Sequence, residues 1–156
     1  MFKERHKAVP AVYLILKKGD EILLMRRQNS GYYDGWYSIP AGHVEAGELP
    51  MGGLIREVFE ELGTTLDQKD LELVHTMYRA KHDETGERVD LFFMVGKWSG
   101  EPKINEPHKC DDIRWFPVNN LPENTMHHVR DAVLKSEKGI LYSEVDAEHA
   151  AKNPTK

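Results

Sequence analysis

The sequence predicts an α/β (α+β) domain in which a mixed β-sheet lies between helices. Three observations carry that prediction. Two β-prone apolar runs flank a Gly-Asp turn near the start of the chain, and an amphipathic helical pattern occupies residues 50–62. Two further apolar runs then precede a second helical pattern at residues 124–138. Strand and helix periodicities succeed one another within 156 residues, the size of one domain.

Residues 9–16 and 21–26 are apolar, with Lys17, Lys18, Gly19 and Asp20 between them, which is the pattern of a β-hairpin. A glycine- and aromatic-rich loop, residues 29–35, leads to a short strand at 36–39 that Pro40 stops. In residues 50–62 the apolar side chains Met51, Leu54, Ile55, Val58, Phe59 and Leu62 recur at helical spacing. Pro50 suits the first turn of that helix and Gly63 its exit. Strands follow at 71–79 and 89–98, the second apolar enough from Leu91 to Val95 for a buried central strand. A last strand at 113–116 precedes Pro117, and Met126, Val129 and Val133 give the 124–138 helix its buried face before Gly139. Residues 1–145 form the expected domain, and the polar tail 146–156 is expected to fray.

Composition narrows the function classes. Apolar residues make up 40% and charged residues 30%, and no apolar run reaches the length of a membrane span. The first residues are charged and lack the plan of a secretion signal, and Cys110 is the sole cysteine, so the expectation is a cytoplasmic protein away from membranes. A net charge of −5 spread along the chain does not attract polyanions, so no nucleic-acid partner is expected. A phosphate-bearing substrate would then rely on metal ions and local cations.

The chemistry concentrates in residues 41–64. Glu57, Glu60 and Glu61 stand at i, i+3 and i+4 and project from one sector of the helix, with Arg56 expected off to one side. Like charges so placed repel, and a hard divalent cation such as Mg²⁺ suits an all-oxygen site. Gly52 and Gly53 cost the helix about 2 kcal/mol relative to alanine. Either a ligand approaches the backbone there, or a loop packs tightly against it.

The same residues resemble the signature of the Nudix (MutT-like) hydrolase family. That signature is a glycine, five residues, a glutamate, seven residues, Arg-Glu, an apolar residue, any residue, Glu-Glu, any residue, glycine and an apolar residue. Gly42, Glu48, Arg56, Glu57, Val58, Glu60, Glu61 and Gly63 meet it, and Thr64 departs from it only in the final packing position. The entry through Leu23, Leu24, Met25, Arg26 and Arg27, the 36–40 segment, and the closing Trp115, Phe116, Pro117, Leu121 and Pro122 extend the likeness over residues 9 to about 135. The resemblance implies a Nudix fold: an α/β/α sandwich around a mixed sheet.

It also implies roles. Glu57 and Glu61 are the expected principal ligands of Mg²⁺, which Mn²⁺ can replace, with Glu60 beside them and the Ala41 carbonyl joining the site. Arg56 and Glu48 are expected to pair and fix loop to helix, supporting the catalytic set. Glu106 is a candidate fourth ligand or general base, with Glu60 its rival; its alternative is a solvated loop acid. Of Arg26 and Arg27, alternation lets at most one face the pocket, and Arg27 is the candidate phosphate contact. Tyr33 and Trp36, with Tyr32, are candidates for stacking on a base or for capping the core. Asp111, with Asp112, could bond a base edge or cap a turn, and Cys110 is read as structural.

The function so implied is a Mg²⁺-dependent pyrophosphohydrolase. It would cleave a phosphoanhydride bond in a nucleoside triphosphate or related nucleoside diphosphate derivative. Nucleotide sugars, dinucleoside polyphosphates and capped RNA ends are alternative substrates, and a non-catalytic nucleotide-sensing module is the alternative class. Homodimers are common in the family, so one is possible here.

Overall fold

The computed structural model describes residues 3–151. Its sheet contains eight strands. They are β1 (Val9–Lys18), β2 (Glu21–Arg27), β3 (Tyr37–Ser38), β4 (Ala41–His43), β5 (Glu72–Arg79), β6 (Arg88–Val95), β7 (Cys110–Pro117) and β8 (Tyr142–Val145). The main path runs β3-β2-β1-β6-β5-β8, with β4 pairing β1 and β7 pairing β2. The β1/β6 and β5/β8 pairs are parallel and the other pairs antiparallel, so the sheet is mixed as expected.

β1 explains the layering. Successive side chains of a strand point to opposite faces. Val12, Leu14 and Leu16 accordingly join Leu54, Val58 and Leu62 of helix α1 (Pro50–Leu62) in one core. Ala11, Tyr13 and Ile15 join Val129, Ala132 and Val133 of helix α2 (His127–Glu137) in the other. One strand buried on both faces holds a helix on each side, which is the α/β/α sandwich.

Helix α1 starts without a side-chain cap, at Leu49, where Pro50 presets the first turn. It ends at Gly63, whose φ of 68° is left-handed and whose N–H bonds the Phe59 carbonyl at 2.9 Å. Helix α2 begins three residues later than its periodicity suggests. Thr125 pairs with Tyr37 in an isolated bridge, and the Met126 N–H bonds the Tyr37 carbonyl at 2.8 Å, so these residues extend the sheet instead.

Two strands escaped the sequence pattern. β4 is three residues containing a glycine, too short for alternation to register. β8 is four residues beside β5, and it alternates poorly because it lies at the edge. The expected fraying from Asp146 onward is corrected for its first residues. They form helix α3 (Ala147–Ala151), with the Asp146 carboxylate accepting the His149 N–H at 2.9 Å. Residues 152–156 of that tail lie outside the described residues. Among the described residues, no helix is long and apolar enough to cross a membrane.

Candidate active site

Helix α1 lies against β4, and the contact is close. A Cβ on Gly42 would stand 2.3 Å from the Glu57 carboxyl carbon, so only glycine lets this carboxylate lie flat on the strand. One turn on, Glu61 Oε1 accepts the Ala41 N–H at 3.2 Å. The two carboxylates thus border a cleft of about 330 Å³, together with Ala41, Arg27, Glu106 and Lys109.

Burial pushes the Glu57 carboxyl up from its ordinary pKa, although Arg56 beside it pulls the other way. Glu61 is pushed well above the ordinary range, first by burial and then by the charge of Glu57. Both are carboxylates short of positive charge.

Arg56 does not lie aside as expected. Its Nε and Nη2 donate to the two oxygens of Glu48 at 2.8 and 3.0 Å, the expected loop-to-helix pair in bidentate form. Its Nη1 turns into the glutamate cluster, 3.0 Å from Glu57 and 3.4 Å from Glu60. The guanidinium therefore relieves part of the repulsion that the spacing creates. Glu60 is half exposed, faces Arg56 and does not line the cleft, so the structure brings Glu57 and Glu61 together without it.

The glycine cost finds a cause at Gly53 alone. A Cβ on Gly53 would meet Glu48 Oε1 at 2.8 Å, whereas nothing lies within 4 Å of one on Gly52. At Gly53 the close approach is by the loop carboxylate that Arg56 holds.

Glu106 reaches the cleft because its loop is bonded to the open end of α1. The Lys103 N–H bonds the Leu62 carbonyl and the Asn105 N–H that of Glu61, both at 3.1 Å, while Asn105 Nδ2 bonds the Glu60 carbonyl at 3.0 Å. These groups satisfy carbonyls that a helix end leaves unpaired. Asn105 was not singled out from the sequence; an asparagine beside Glu106 was its only signal. Lys109, 3.8 Å from Glu106, was also missed, because a lone loop lysine carries no pattern.

Arg27 lines the cleft, with its guanidinium over the Tyr32 ring at 5.6 Å and its Nε donating to the Tyr32 carbonyl at 2.8 Å. The expectation that only one of Arg26 and Arg27 faces the pocket is corrected: both border it. A register shift between them in the β2/β7 pairing breaks the alternation. Arg26 is held by Asp111 at 2.8 Å, which occupies the Asp111 carboxylate with an ion pair. Asp111 does not line the cleft. Asp112 accepts the Tyr37 hydroxyl and lies 3.1 Å from Arg114.

Tyr33 is fully buried, so its ring packs in the core and is not available to stack on a base. Its φ of 57° turns the side chain inward from the loop. Trp36, only partly buried, packs edge-on against Tyr33 and His127.

Among the described residues, no three His, Cys, Asp or Glu side chains converge into a complete cage for a metal. Glu57 and Glu61 nonetheless fit a magnesium-type ion. They form a two-carboxylate, all-oxygen set in need of positive charge, and such ions are held by one or two carboxylates, with water and substrate phosphate filling the rest.

Comparison with known proteins identifies the family. The NUDIX domain family matches residues 4–136. An ADP-ribose pyrophosphatase of Methanocaldococcus jannaschii is 32% identical over 123 residues, 79% of this chain and 69% of that protein. The NAD-capped RNA hydrolase NudC of Stutzerimonas stutzeri is 29% identical over 113 residues, which are 72% of this chain but only 38% of that protein. The crystal structure of a MutT NUDIX hydrolase from Burkholderia pseudomallei superposes with a TM-score of 0.73 at 25% identity, covering 83% of this chain and 98% of that one. With Glu57 and Glu61 of the signature bordering one cleft and the family matched over most of the chain, the chain belongs to the Nudix family and is a MutT-like Nudix hydrolase.

Proposed function

We propose that the protein is a Mg²⁺-dependent pyrophosphohydrolase for a small nucleotide, cleaving the phosphoanhydride bond of a nucleoside diphosphate derivative or nucleoside triphosphate. The observation that carries this reading is the pair Glu57 and Glu61, short of positive charge, facing Glu106 and Arg27 across one cleft.

Mg²⁺, or Mn²⁺ in its place, supplies charge neutralisation of the diphosphate and an acidified water when bound. Glu57 and Glu61 would hold it, with the Ala41 carbonyl as a further donor. Arg56 keeps Glu57 in place and ties the helix to Glu48. Arg27 binds a phosphate oxygen, and Lys109 stands on the Glu106 side of the cleft to balance further charge. Glu106 takes the proton as the water oxygen bonds to phosphorus and the bridging oxygen leaves with the second phosphate. The exposed Glu60 is the weaker candidate for that base.

A bond between two phosphates that join a nucleoside to a second group is favoured by the likeness to an ADP-ribose pyrophosphatase. A capped RNA end is the second reading, supported by the likeness to NudC. The shorter match to that protein and the net charge of −5 weigh against a nucleic-acid partner. A sensing module would not need the carboxylate pair.

The test is hydrolysis of nucleoside triphosphates, nucleotide sugars, ADP-ribose and dinucleoside polyphosphates, with Mg²⁺ or with EDTA. It is read by chromatography of the products, because cleavage of ADP-ribose or a nucleotide sugar yields a nucleoside monophosphate and a sugar phosphate and no free phosphate. One class should turn over only with the metal, and Glu61→Gln should lower kcat/KM at least about a hundredfold. Tight nucleotide binding without turnover would instead favour the sensor.

A further inference from the structure

The sheet ends at β8, and among the described residues no strand pairs with its outer side. Its inner side bonds β5 in parallel: the Thr76 N–H reaches the Leu141 carbonyl and the Ala80 N–H the Val145 carbonyl, both at 2.9 Å. Bonding direction alternates along a strand, so Tyr142 and Glu144 turn their own N–H and C=O groups outward. Such an edge is a template for another strand unless something blunts it. β8 contains no proline, lysine or bulge. It has only its shortness and one acid, Glu144, which already accepts the Tyr142 hydroxyl at 2.6 Å.

The chain leading into this edge is apolar as well. Of the seven large apolar side chains exposed among the described residues, four (Leu134, Ile140, Leu141 and Tyr142) fall in residues 134–142. Leu141 is 70% exposed and Tyr142 52%. The Ile140 N–H bonds the Lys135 carbonyl at 3.0 Å, which brings the approach to β8 against the end of α2 that carries Leu134. An apolar patch continuous with an open sheet edge marks an interaction surface.

The residues of the edge select its occupant. Two antiparallel copies related by a twofold axis at Ser143 place Tyr142 of each opposite Glu144 of the other, and Leu141 opposite Val145. Tyr142 and Glu144 carry the outward groups, so each such pair exchanges both main-chain bonds. A hydroxyl donor faces a carboxylate, and an apolar side chain faces an apolar one. Ser143 is small and buried, its hydroxyl 2.8 Å from His75 Nε2, so nothing obstructs the axis. An axis at Glu144 would set two acids opposite each other, and one at Tyr142 would set each acid opposite Ile140.

We propose that the protein self-associates through β8, two copies joining their sheets edge to edge in antiparallel pairing about Ser143. The contact is short, so the dimer is reversible, with Kd on the order of micromolar. The carboxylate cleft lies on β2 and β4, with β1, β6 and β5 between it and this edge, so both clefts stay open. The inference is independent of the hydrolase reading.

Sedimentation equilibrium between about 1 and about 200 µM should show monomer passing to dimer and no further. Glu144→Pro removes an outward amide that β5 does not use, and symmetry makes the loss count twice. It should raise the dissociation constant about tenfold or more. Leu141→Lys should do the same by placing a charge opposite Val145. Thermal melts by circular dichroism check that both variants fold. Leu141→Lys alters only an exposed side chain, so it decides the matter if Glu144→Pro does not fold. A monomer at every concentration, a dimer that the folded variants leave intact, or growth into longer oligomers would overturn the proposal.

Discussion

At the scale of single residues, Gly42 and Glu57 act as one unit. The glycine is conspicuous in the signature, but its reason is a distance: a side chain there would occupy the place of the Glu57 carboxylate. The obstructing atoms are the far end of a flexible side chain, so Gly42→Ala should displace the carboxylate more than it disturbs the fold. We expect kcat/KM to fall about 10–100-fold while Tm scarcely moves, which paired kinetics and thermal melts would show. A large loss of Tm would instead mean that β4 itself is displaced. Other residues were illegible beforehand for equally local reasons. Tyr33 sits in an aromatic loop that looks ligand-facing, and its inward turn depends on a positive φ that a sequence does not display. Asp111 looked free because its partner Arg26 is 85 positions away. The carboxylates Glu57 and Glu61 were legible because helical spacing alone sets them on one sector.

At the scale of elements, the tie between the 44–49 loop and α1 is electrostatic and should follow pH. The Arg56 guanidinium lowers the Glu48 carboxyl from its usual 4.5 to about 2. A depressed folded value means that stability from this pair is present above the unfolded value and is lost as pH falls towards 2. Melts of Glu48→Gln and wild type should therefore differ in slope across that window, the variant being the flatter. Parallel slopes would show that the pair does not discriminate between folded and unfolded chains. The elements themselves were legible in proportion to their length. The hairpin, α1, β5 and β6 were long enough for periodicity to show. β4 and β8 have three and four residues, and only their partners in the sheet define them. The start of α2 was misplaced because Thr125 and Met126 bond to Tyr37, a contact between distant parts of the chain.

At the scale of the whole molecule, the raised carboxyls of Glu57 and Glu61 act with the opposite sign. A raised folded value favours the folded state while the group is protonated, and that stability is lost as pH rises from 4.5 through the raised value. The metal-free protein should therefore lose Tm on going from about pH 5 to about pH 8, other groups being equal, and Glu61→Gln should reduce the loss. Added Mg²⁺ should raise Tm more at the higher pH, since the ion binds the ionised form. Scanning calorimetry of both proteins at the two pH values checks this. An equal Mg²⁺ effect at both would argue that the ion binds elsewhere. The sandwich was legible because β1 is apolar on both faces, and such a strand needs a cover on each side.

The parallel pairing of β1 with β6 bears on how the chain is made in the cell. Val9 lies opposite Arg88 and Leu16 opposite Val95, so the hairpin leaves the ribosome well before the strand that flanks it. At about 5–20 residues per second, roughly four to sixteen seconds separate the two. During that interval the side of β1 that pairs with β6 is open and α2 is still unmade, so Ala11, Tyr13 and Ile15, all buried in the finished protein, lack their cover even after β2, β4 and α1 have been made. A nascent chain halted before residue 88 should thus be bound by chaperones that hold apolar segments, and one extended past residue 95 should begin to let them go.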